Sequence, residues 1–267
     1  MNAVLYHVNS HKKINGTLFY CFEYYSLLKQ YIPDLKFILL NTTNEDMSMI
    51  RDIFVEKYLI DNVECINLVK ITDFARLPIK NLLILDINSY KKIKDFSFKI
   101  KNIRIYSNDT HEYLNKKHNH IFYGWYNYQK YNFKTRLKLF KQLHKTFEHK
   151  GTKTLVTSLH GDFTQILKKL NLKEQDVYVK KLNSHNPNLF ENINKLIYWH
   201  SGNFDTNNRS LIEACLHNLK LEVYLNGYET DSIKERYDMI QQGNIADFWL
   251  DENDILIRDF IDDCTNS

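Results

Sequence analysis

Short apolar runs rich in β-branched and aromatic residues recur along this chain, and most are followed by a stretch with helical spacing. AVLYHV (3–8) precedes TLFYCFEYYSLLKQYI (17–32), in which Leu18, Phe22, Tyr25 and Leu28 lie on one helical face. Thr17 is the expected cap of that helix and Pro33 its stop. KFILL (36–40) precedes NEDMSMIRDIFVEKYL (44–59), a helix whose acidic first turn suits the helix dipole. VECINL (63–68), NLLILDI (81–87), IRIYS (103–107) and IFYGW (121–125) read as further strands. KTRLKLFKQLHKTF (134–147) reads as an amphipathic helix, with Leu137, Phe140, Leu143 and Phe147 on one face and a break near Gly151.

The rhythm then restarts. TKTLVTS (152–158) is a strand and DFTQILKKL (162–170) a helix capped by Asp162. VYVKK (177–181) is a strand, NLFENIN (188–194) a short helix and KLIYWH (195–200) a strand. NRSLIEACLHNL (208–219), SIKERYDMIQQG (232–243) and DENDILIRDFIDDC (251–264) read as helices, and LEVYLN (221–226) as a strand. Strands alternating with helices build parallel sheets covered on both faces. The expected fold is therefore α/β, with two Rossmann-like, doubly wound parallel-sheet domains facing across a cleft. Residues 1–147 form the first and 148–267 the second, and the terminal helix is free to pack back on the first. One continuous sheet is the alternative, but roughly ten strands is near the limit for a single twisted open sheet.

Composition narrows the class. Of 267 residues 43% are hydrophobic and 25% charged, the balance of a globular chain with a core. The net charge of +4 permits an anionic partner without requiring one. Cys21, Cys65, Cys215 and Cys264 show no metal-ligand spacing and read as reduced thiols. The N-terminus lacks the pattern of a secretory signal, and no apolar run approaches the roughly 20 residues of a membrane span. A cytoplasmic protein is expected. No GxxxxGK[ST], HExxH or GxSxG motif occurs, which disfavours P-loop kinases, zincins and α/β-hydrolases.

In a doubly wound sheet, ligands bind beyond the carboxyl ends of the strands. The stretch 195–226 is the most informative there. A strand ends at His200, a loop carries Gly202 and Asp205, and a helix follows with Arg209 and Glu213 four apart on one face. A guanidinium near a helix N-terminus suits an anion, and a carboxylate one turn later can accept from a ribose diol. An intrahelical Arg–Glu surface pair is the other reading of the same spacing.

This stretch resembles the donor-binding segment of GT-B glycosyltransferases, Asp…Arg-x-x-x-Glu-Ala followed by a strand. The resemblance implies a UDP-sugar as co-substrate, Arg209 on its diphosphate, Glu213 on its ribose, and Asp205 with His200 bordering the sugar. Leu219–Lys220–Leu221 stands where many members carry Gly-x-Pro. The same scheme assigns Gly16–Thr17 to a loop facing the donor phosphates or the acceptor, although a plain helix cap explains them as well. Ser158, His160 and Gly161 would form a phosphate cradle, with Lys180 and Lys181 neutralising the pyrophosphate. No metal ligand is assigned and no cofactor is held tightly; a divalent metal would be auxiliary at most.

A transferase that inverts the sugar needs a base for the acceptor hydroxyl. Asp86, closing NLLILD, Asp109 and His111 are the candidates; Asp at a strand end also commonly caps the next helix. Basic residues cluster between 91 and 153 around the aromatic FYGWYNYQKYNF (122–133). Trp125, Tyr126, Tyr128, Lys130, Lys134 and Arg136 therefore form a candidate nucleic-acid surface, charge holding phosphates and rings stacking on bases. The wet and dry faces of amphipathic helices would carry the same residues. The chain is similar to phage-encoded enzymes that glycosylate hydroxymethylated pyrimidines in double-stranded DNA, which would place it in the host cytoplasm. A polysaccharide or lipid-linked sugar as acceptor, and a non-catalytic nucleotide-sugar or nucleic-acid binding protein, are the alternatives.

Overall fold

The computed structural model describes residues 1–9, 15–57, 63–107, 120–124, 151–158, 162–180, 192–200, 210, 213–214, 217, 219–225 and 255–266. The chain divides into two compact units, Met1–Asn132 with Glu252–Ser267, and Phe133–Asp251. That division falls before the expected boundary at 147, and it places the terminal segment in the first unit. The amphipathic stretches 134–147 and 232–243 lie outside the described residues.

In the first unit, β1 (Asn2–His7), β2 (Lys36–Leu40), β3 (Cys65–Leu68), β4 (Asn81–Ile84), β5 (Asn102–Ser107) and β6 (His120–Gly124) form one sheet. Their order is β3-β2-β1-β4-β5-β6 and every pair is parallel. Parallel neighbours need crossovers, and crossovers put helices over both faces, so these strands are apolar throughout rather than alternating. The register shows the two faces. Leu5, Ile38, Ile84 and Ile105 share one, in a core with Phe74 of α3 (Ile71–Phe74) and with Tyr90 and Ile93 of α4 (Ile87–Ile93). Phe37, its neighbour in the register, points the other way, toward α1 (Gly16–Leu28) and α2 (Asn44–Lys57). There Phe22 stacks on Phe54 at 3.9 Å between ring centroids and Tyr25 on Phe37 at 5.3 Å. Burying one such ring is worth about 1.5–3 kcal/mol.

Helix α1 is capped by Asn15, whose Oδ1 accepts from Leu18 N at 2.9 Å; Thr17, the expected cap, lies inside the helix. The same Asn15 Oδ1 accepts from Tyr6 Oη, which ties the cap to β1. Helices α3 and α4 were not legible in the sequence, being only four and seven residues long. At the amino-terminal edge of the sheet, Asn102 donates to Asn81 and Asn81 to Asn2, both at 2.8 Å, and Asn2 donates to Asp34. Buried amides are thus satisfied by one another across three adjacent strands.

The C-terminal helix α6 (Ile255–Thr265) packs on β4 and β5, burying Leu256, Ile257 and Phe260. Arg104 of β5 grips it: Nε and Nη2 donate to the two oxygens of Asp263 at 2.6 and 2.8 Å, with Asp259 at 3.8 Å.

The second unit has a separate sheet of β7 (Lys153–Thr157), β8 (Val177–Lys180), β9 (Ile193–His200) and β10 (Lys220–Leu225), all parallel, in the order β10-β9-β7-β8. Two sheets rather than one continuous sheet are thus present. Helix α5 (Phe163–Lys169) is capped by Asp162, as expected, and ends with Asn171 in the left-handed region at φ 52. Leu172 N donates to Leu167 O and Asn171 N to Lys168 O, which closes the last turn. Val156, Ile166, Leu167, Val177 and Ile197 form its core. Strand β9 begins at Ile193, so Ile193 and Asn194 are strand and not the end of the expected 188–194 helix. Ile193 pairs with Lys153 of β7 and is fully buried, and that pairing outweighs the local helical preference. Gly151 lies against the main chain of Asn192: a Cβ there would fall 1.8 Å from its carbonyl oxygen.

Candidate functional site

Each sheet has one point where strand order reverses. In the first it lies between β1 and β4, which pair with each other and send their crossovers in opposite directions. Beyond their carboxyl ends lie His7 and Asp86. Asp86 caps α4: Oδ1 accepts from Asn88 N, and Oδ2 from Ser89 N at 2.9 Å and Ser89 Oγ at 2.8 Å. The capping role, one of the two readings of an Asp at a strand end, is therefore present. Ser89 Oγ in turn accepts from His7 N at 2.8 Å, fastening the end of β1 to the start of α4.

His7 was not singled out in the sequence, although a polar residue ending an apolar strand is the signal that marks such an edge. Its pKa is held below the ordinary histidine value, first by partial burial and then by Lys92, with Asp86 opposing. The imidazole is therefore neutral at pH 7 and offers a lone pair, the form a proton acceptor needs. Asp86, with both oxygens already accepting hydrogen bonds, is better placed to orient neighbouring groups than to take a proton itself.

Gly16 and Thr17 open α1, on the far side of residues 10–14 from β1, with Asn15 performing the capping. In the second unit the order reverses between β7 and β9. Ser158 follows β7 and is buried, and His200 is the last residue of β9, paired with Leu225. Lys180 ends β8, the edge strand, one strand removed from that reversal. Glu213 is 1% exposed and belongs to the helical segment after β9, in which Ser210, Ala214 and His217 are also buried.

No family model, curated protein or solved structure matches this chain.

Asp109, His111, His160, Gly161, Lys181, Asp205 and Arg209 lie outside the described residues, as do Trp125, Tyr126, Tyr128, Lys130, Lys134 and Arg136. The described residues bring together two of the positions expected to matter in the second unit, Ser158 and His200, at adjacent strand ends. In the first unit they join Asp86 to a histidine the sequence reading passed over. Among the described residues no group of three or more His, Cys, Asp or Glu side chains could hold a metal, and no helix is long and apolar enough to cross a membrane. Cys65 and Cys264 are pushed up to about 12 by burial, which keeps both thiols protonated and unreactive at neutral pH.

Proposed function

We propose that this chain is a glycosyltransferase that moves a sugar from a UDP-sugar to a hydroxyl, with a hydroxymethylated pyrimidine of double-stranded DNA as the acceptor. The observation that carries this reading is the pair of separate all-parallel sheets, each with its own reversal of strand order. Such a reversal leaves a crevice at the strand ends where nucleotides and small substrates bind. In the second unit Ser158 and His200 border that edge, and the segment that follows bears Glu213 and Arg209, the residues the GT-B resemblance assigns to ribose and diphosphate.

In the first unit the edge carries His7 beside Asp86. Neutral His7 would take the proton of the acceptor hydroxyl as its oxygen attacks the anomeric carbon, while the bond to the diphosphate breaks and UDP leaves. Asp86 would stabilise the imidazolium that forms, the role a carboxylate beside a catalytic histidine serves. The DNA acceptor rests on the sequence of the basic and aromatic stretch 91–153.

The test is direct. The purified chain is incubated with UDP-glucose, UDP-galactose or UDP-N-acetylglucosamine, and with duplex DNA containing hydroxymethylcytosine or cytosine. Transfer of labelled sugar to the hydroxymethylated duplex alone is the expected result. UDP release with transfer to another hydroxyl would retain the enzyme and replace the acceptor. Absence of both UDP binding and UDP release would overturn the reading.

A further inference from the structure

Ser210, Glu213, Ala214 and His217 occupy positions i, i+3, i+4 and i+7 of the segment after β9, a single face of a helix. All four are buried. A helix face turned inward ordinarily carries Leu, Ile and Val; here three of the four residues are polar and two are titratable. Removing a carboxylate and an imidazole from water is costly unless each finds hydrogen bonds and compensating charge. A face that departs from core patterning in this way marks a functional site more often than a packing one.

The spacing sets how the two groups relate. Glu213 precedes His217 by four residues, so the acid sits one turn N-terminal to the imidazole, the favourable sense for such a pair. His217 N donates to Glu213 O at 3.0 Å, so α-helical geometry holds between them. Strand β9 leaves the sheet at His200, and the chain has entered helix by Ser210. With a rise of about 1.5 Å per residue, Glu213 lies roughly 4–5 Å and His217 roughly 10 Å along the axis from Ser210. His217 is therefore further from the strand-end crevice than Glu213 and beyond the reach of a ligand held there.

We propose that His217 is a positioning residue whose imidazole N–H holds the Glu213 carboxylate in the orientation that accepts from the ribose hydroxyls of the nucleotide. The inference rests on the nucleotide-sugar reading of the second unit. It assigns the buried histidine to recognition of ribose against deoxyribose rather than to packing alone.

The experiment compares UDP with 2′-deoxy-UDP by titration calorimetry on the full chain. A carboxylate that accepts from the 2′-hydroxyl should make the wild type prefer UDP by about tenfold or more. His217→Ala should collapse that preference toward parity by weakening UDP binding, with 2′-deoxy-UDP binding nearly unchanged. Glu213→Gln should do the same, and the double variant should lose no more than either single one. His217→Gln retains an N–H donor and should restore most of the preference; it also serves where the alanine variant does not fold. A folded His217→Ala that keeps the wild-type ratio, or weakens both nucleotides equally, would overturn the positioning role. A wild type that binds both nucleotides alike would overturn the ribose grip while leaving the donor reading intact. A wild type that binds neither would overturn the donor reading itself, and this inference with it.

Discussion

The main-chain N–H of His7 donates to Ser89 Oγ at 2.8 Å, joining the last residue of the central strand β1 to the first turn of α4. Ser89 Oγ passes its own proton to Asp86, so strand end, hydroxyl and carboxylate form one chain. Ser89 is fully buried, and its hydroxyl is the link between the histidine and the acid. Ser89→Ala should leave the His7 N–H without that acceptor and cost about 1–3 kcal/mol of stability, measured by urea denaturation. The same variant should also slow sugar transfer, because the strand end that carries His7 is no longer fixed. An unchanged denaturation midpoint would show that water or a backbone shift replaces the bond.

His7 ties stability to pH. Its pKa is depressed in the folded protein, so the unfolded chain binds more protons in acid. The contribution is fully present above the ordinary histidine value of about 6.5 and is lost as pH falls through the lower folded value. Thermal stability should therefore decline between neutral pH and about pH 5 more steeply in the wild type than in His7→Gln. Sugar transfer by the wild type should fall over the same range, as the proposed acceptor becomes protonated. Parallel stability curves for the two proteins would remove His7 from the linkage.

The terminal helix is held by charge as well as by apolar contact. Arg104 and Asp263 are 13% and 14% exposed, so their two-pronged pair is largely shielded from solvent. Removing one partner strands the other charge in the interior, which costs about 3–5 kcal/mol when such a pair is buried. Arg104→Ala and Asp263→Ala should each destabilise the first unit by somewhat less than that range, and the two effects should not add. Denaturation of the single and double variants checks this; additive losses would show that the contact carries little coupling.

Gly151 predicts a steric failure. Any side chain there would drive a Cβ into the carbonyl of Asn192, at 1.8 Å, and the obstacle is backbone. Gly151→Ala should displace the start of β7 from β9 and lower the melting temperature of the second unit. Faster amide exchange at Leu155 and Val156, with the first unit unaffected, is the expected signature. Wild-type exchange rates at those residues would mean that the loop moves aside without cost.

Much of the architecture could be read before any coordinates. KFILL is a strand over its full expected span, and Asp162 caps its helix, because an apolar β-branched run and a side-chain acceptor before a helix are local signals. The cap of α1 was misplaced by two residues. Asn15 and Thr17 are both good caps by type, and Asn15 prevails because its amide also meets the hydroxyl of Tyr6 on β1. Short helices such as α3 were missed because a single turn carries no periodicity. The site was legible unevenly. Asp86 was visible as a carboxylate at a strand end, while His7 and His217 were not, since a lone histidine has no spacing to betray it.

Strand and helix identity, the doubling of the βα series and the capping acids were determined by the order of residues alone, because each depends on neighbours within a few positions. Strand order was decided only by the tertiary structure. Placing β1 between β2 and β4 joins residues about 80 apart and brings His7 to Ser89 and Asp86. Closing such loops is entropically costly and is offset by burying both faces of the sheet together, a collective gain that no local stretch of sequence displays.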